Sequence, residues 1–156
     1  MAKFVFKLEG VLRQRKHVEQ EKQRILAVKQ KQLVEAQNIL QQMHRTVEAT
    51  NDDVRKNRLV GKLDMEFIAA HRRFLTAMQR QAMAVAQKIA LAHHAVDEAR
   101  RELAEAAKQR KAIEKLKEKQ FERWRSELSR REQAEMDEIG MQLAYQNISQ
   151  GLESGS

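Results

Sequence analysis

The chain has 156 residues with no cysteine, no proline, five glycines and 4% aromatic residues; a third of it is charged, and the formal net charge is +8. Disulfide and thiolate chemistry are excluded, and so few aromatics cannot fill a compact core of ordinary size, whereas the dominant residues are strong helix formers of the kind that build long coiled coils. The positive balance suits acidic partners, nucleic acid or an anionic membrane surface without choosing among them, and no apolar run approaches the length of a membrane span.

The opening, MAKFVFKLEG, is too short and too interrupted for a signal peptide, which reads as a cytosolic, reducing setting. From Leu8 onward apolar residues recur every seven positions, as the pairs Val11-Leu12, Ile25-Leu26 and Ile39-Leu40 with the single residues Val18, Leu33 and Val47 between and after them, and Val54 alone at the end. Ala36 and Met43 fall on intervening seam positions, and so do the charged Arg15, Lys22 and Lys29. A seven-residue repeat keeps one stripe against a partner helix. It predicts a first helix over about residues 5–57.

The pattern stops at VRKNRLVGKLDMEF. Gly61 is the best turn candidate in a turn over about 58–63, with Asp64 as a helix N-cap and Glu66 in the first turn of a second helix. That helix is expected over about 64–147, followed by a flexible tail over 148–156. Its seam runs Ile68, His71, Leu75, Met78, Ala82, Val85, Ile89, Ala92, Val96, Ala99, Leu103, Ala106, Arg110, Ile113 in alternating steps of three and four, with twelve of the fourteen apolar. The many alanines imply close approach of a partner helix.

A short connection makes two long helices antiparallel neighbours. Folding about residue 60 sets residue i against about 120 minus i, so the first helix runs out near Ile113, where the second seam also loses its pattern. The expected fold is all-α: one long antiparallel two-helix coiled coil, an α-hairpin forming a single domain, with an overhanging C-terminal helix. In that reading Trp124 and Phe121 stand on the overhang with no helix to pack against.

No nucleotide-binding glycine loop, metal-ligand spacing or nucleophile constellation is present, so no catalytic residue, cofactor or metal is assigned. His93 and His94 are adjacent on a helix and diverge; His71 reads as a seam or tip residue. Met43 and Met78 read as seam filling, Met65 and Met83 as part of an adaptable surface near the tip. Phe74, between seam residue Leu75 and the pair Arg72-Arg73, is a candidate for either binding or packing. Residues 108–131 carry ten Lys or Arg against four Glu, and residues 13–31 seven against two. Both stretches fall at the open end of the expected hairpin, beside Trp124, which marks that end for docking.

The opening FKLEGVLRQRKHVEQEKQRILA, the glycine turn near the middle and above all IEKLKEKQFERWRSELSRREQAEMDEI resemble the FliJ family, the small coiled-coil components of the flagellar type III export apparatus. The residues matching the family's C-terminal pattern are Leu116, Glu118, Trp124, Arg131, Glu132, Asp137 and Glu138. The resemblance implies a non-catalytic part in bacterial flagellum biogenesis, protein transport and, through the flagellum, chemotaxis. It implies docking on the ring of the export ATPase FliI and on the export gate protein FlhA, with export chaperones as further partners. It implies residence in the cytoplasm, peripherally at the cytoplasmic face of the inner membrane. The expected contact residues are Phe121, Arg123, Trp124, Arg125, Arg131, Glu132, Asp137 and Glu138, with Phe74 at the other end.

Three other readings stand beside it. One is the equivalent stalk protein of a virulence type III secretion system. Another is a basic nucleic-acid-binding coiled coil, against which interleaved acidic residues and the shortage of stacking aromatics both count. The third is a purely structural scaffold with no effect on any ATPase.

Overall fold

The computed structural model describes residues 3–58, 61–62 and 64–153. Helix α1 spans Glu9–Asp53, a single π-helical stretch follows over Val54–Arg58, and helix α2 spans Met65–Glu153. The described residues contain no strand, and the two helices pack against each other. The chain divides into two compact units, Met1–Arg15 with Gln109–Ser156, and Lys16–Lys108.

The Lys16–Lys108 unit is an antiparallel helical hairpin. Lys22 pairs with Glu102 at 2.7 Å, and Asn51 Oδ1 lies 3.1 Å from His71 Nε2. The position numbers in these two pairs total 124 and 122, slightly above the expected 120. The pivot is Gly61 itself, at φ 92°, a left-handed conformation that suits glycine because it has no Cβ. α2 starts where the capping pattern predicts: Asp64 Oδ1 accepts from the backbone N–H of Glu66 at 3.0 Å and of Phe67 at 3.3 Å. α1 gives up α-helical bonding at Asp53 rather than at 57. Its last residues widen into the π stretch, with Val54 buried and Asn57 Nδ2 donating to Asp53 Oδ1 at 2.6 Å.

Every one of the fourteen second-seam residues is buried or half-buried. Val96, Ala99 and Ala106 are the most enclosed, and two of these three are alanines, as close helix approach requires. On α1 the second residue of each apolar pair faces inward: Leu12 is buried and Leu26 and Leu40 half-buried, while Val11, Ile25 and Ile39 are exposed. Lys22 and Lys29 stay half-buried on this seam. An exposed pair such as Lys22–Glu102 contributes only about 0–1 kcal/mol, so cohesion comes from the apolar stripe. Met43 and Met78 sit on the stripe and help line an open groove of about 640 Å³ with Leu40, Val47, Leu75 and Ala82. Met65 and Met83 are exposed.

The other unit sets Phe6 and the first turns of α1 beside α2 residues from Gln109 onward. Arg15 Nη1 donates to Gln109 Oε1 at 2.5 Å, and Glu9 meets Lys117 at 2.7 Å. Arg110, a charged seam residue, pairs with Glu114 at 2.6 Å. α1 begins at Glu9 rather than at residue 5, because residues 3–6 are non-helical. Phe4 is half-buried and Phe6 6% exposed, while Val5 between them is 75% exposed. That two-residue alternation belongs to an extended segment laid on a surface. At the far end α2 does not fray at 147. It continues to Glu153, through Gly140, and takes in most of the stretch expected to be a flexible tail. Every described side chain from Ser129 to Leu152 is exposed, so this stretch is the overhang, and it starts near residue 129 rather than after Ile113.

Candidate docking site

Phe121 and Trp124 are one helical turn apart on α2, and their rings stack at 5.7 Å with 30° between planes. They are not bare. Phe4 meets Phe121 edge-on, with centroids 5.3 Å apart and 77° between planes, and lies 5.8 Å from the Trp124 ring. The expectation that these aromatics lack any partner within the chain is therefore overturned. The physical reason is that the segment before α1 is extended, so it reaches further along α2 than a helix of the same number of residues. The cover is partial: Phe121 remains 42% exposed and Trp124 is half-buried.

Beside this cluster Phe6 is buried, and Lys117 Nζ stands 5.9 Å from its ring centre while pairing with Glu9. A cation over an aromatic face adds about 0.5–1 kcal/mol at an exposed position. Phe6, Lys117 and Glu9 thus form a brace that fixes the extended segment to both helices. The sequence reading missed Phe4 and Phe6. The signal that finds them is the period of two in KFVFK, set immediately before a period of seven.

The charged candidates fall into two groups. Arg123 and Arg125 flank Trp124 and are exposed. Arg131, Glu132, Asp137 and Glu138 are exposed on the overhang, where Met136, Ile139, Met141, Leu143, Tyr145, Ile148 and Leu152 are also solvent-facing. Phe74 belongs to the Lys16–Lys108 unit; it is half-buried and stacks on His71 with centroids 6.3 Å apart. Packing within the hairpin therefore accounts for part of its burial. Among the described residues no group of three or more His, Cys, Asp or Glu side chains is placed to hold a metal ion.

The family model described as flagellar FliJ protein matches residues 4–149. The chain belongs to the FliJ family. That match includes the extended segment from Phe4, the turn, and the overhang as far as Ser149. FliJ membership makes the chain a component of flagellar export and directs attention to partners within the export apparatus. No curated protein and no solved structure matches the chain. Among the described residues no helix is long and apolar enough to cross a membrane.

Proposed function

We propose that this FliJ-family chain acts without catalysis of its own, by docking on the ring of the export ATPase FliI through the Phe121–Trp124 end of α2. The observation that carries the reading is the partly exposed Phe121–Trp124 pair on a basic stretch of helix that continues into a fully exposed overhang. Tryptophan and arginine are the residues that most often dominate binding energy at interfaces. Arg123, Arg125 and Arg131 supply positive charge around the ring pair, and a docked partner completes the burial of Trp124. Glu132, Asp137 and Glu138 lie further along the same helix, at positions shared with the family's C-terminal pattern, and extend the contact.

A docked chain that contacts ring subunits unequally stabilises some of their conformations over others, and so changes ATP turnover with no catalytic residue of its own. The export gate protein FlhA and export chaperones are further partners in this reading. They place the chain in the cytoplasm at the inner face of the membrane. The test is direct. Purified export ATPase is titrated with the chain, and binding and ATP hydrolysis are followed together. Wild type should bind and stimulate, and Trp124→Ala should lose both in parallel. Stimulation by Trp124→Ala equal to wild type would remove the reading.

A further inference from the structure

The extended segment before α1 is attached to α2 at two points of unequal strength. Phe6 is 6% exposed and braced by Lys117 and Glu9. Phe4 is only half-buried, and residues 3–6 belong to no helix. Its ring packs on the rings of Phe121 and Trp124. Those are the two rings that the docking reading assigns to the ATPase. An interface tryptophan contributes most when a partner fully desolvates it, and one side of Trp124 is already taken by Phe4.

We propose that Phe4 is a displaceable cover on the docking face. In the free chain its ring occupies the place that a partner's apolar side chain takes in the complex. On docking, the segment lifts at Phe4 while Phe6 remains anchored. The inference rests on the docking reading and adds a regulatory step to it. Covering a binding-competent face lowers apparent affinity by the fraction of time the face is open. The cover is small, so the effect is a tuning of affinity rather than a block.

The chain's single tryptophan reports on the cover directly, since Trp124 is the only indole. In the full-length chain, Phe4→Ala should raise acrylamide quenching of Trp124 fluorescence. It should also tighten calorimetric binding of purified export ATPase roughly threefold to tenfold. Phe4→Leu, which keeps an apolar cover, should stay close to wild type in both. Trp124→Ala, measured alongside, should weaken binding. If Trp124→Ala weakens binding while Phe4→Ala leaves it unchanged or weakens it too, docking stands and the cover is overturned. If Trp124→Ala binds normally, the docking reading falls and the cover falls with it. Loss of helical circular dichroism in Phe4→Ala would make Phe4 a structural pin, which also overturns the cover.

Discussion

The rings of Phe4 and Trp124 lie 5.8 Å apart, although 120 positions separate the two residues in the sequence. This contact makes Trp124 partly a packing residue, and stability and binding then respond to the same substitutions. Phe121→Ala combined with Trp124→Ala removes the ring-on-ring contacts with Phe4. The expected loss is about 1–2 kcal/mol. A chemical denaturation series comparing the double mutant with Phe4→Ala checks it. A shared contact predicts that the two effects fall short of adding, and strict additivity would deny the cluster.

Burial ranks the leucines. Leu12 is 2% exposed on the seam, whereas Leu91 is 72% exposed on the outer face of α2. Leu12→Ala should cost about 2–5 kcal/mol, and Leu91→Ala within about 0.5 kcal/mol. Thermal melts followed by circular dichroism decide between them. Equal losses would mean that the assigned seam is wrong.

The turn offers two independent substitutions. Asp64→Ala removes an acceptor for two backbone N–H groups and should cost about 1 kcal/mol, with Asp64→Asn close to wild type. Gly61→Ala meets no neighbouring atom within 4 Å, so any loss comes from the backbone conformation at φ +92° rather than from a clash. Strain of this kind costs of the order of 1 kcal/mol or more. Melts of both variants test whether the pivot is local: the two losses should add.

The second seam was legible residue by residue, because a strict alternation of three and four has one structural meaning. The turn was legible too, since Gly61 and Asp64 each have a local backbone reason to be there. The brace was not. Phe4 and Phe6 carry a period of two over only a few residues, immediately before a much longer period of seven, and their partners lie more than a hundred positions further along the chain. The docking candidates Phe121 and Trp124 were found from residue type and charge. Their cover was missed because the pairing arithmetic assumed a helix where the chain is extended. The helix end was misplaced for the opposite reason: the glycines and serines of SQGLESGS read as a frayed tail, each helical glycine costing about 1 kcal/mol, yet α2 runs through Gly140 and Gly151 to Glu153.

Charge around the ring pair should act on encounter. Arg123 and Arg125 are exposed beside Trp124, and reversing both to Glu should slow association with the export ATPase more than it speeds dissociation. The difference from wild type should shrink as ionic strength rises, because screening at about 0.15 M already limits exposed charges to about 8 Å. Stopped-flow association rates at several salt concentrations measure this. A salt-independent difference would place the two arginines inside a desolvated contact instead.

The most direct test of the docking account is the affinity of purified export ATPase for full-length wild type and for Trp124→Ala, measured at a temperature where both show full helical circular dichroism. The account predicts a loss of about 2 kcal/mol, roughly thirtyfold in affinity, with ATPase stimulation falling at the same chain concentration. Wild-type affinity and stimulation in Trp124→Ala would contradict it and move the docking surface away from this end of α2.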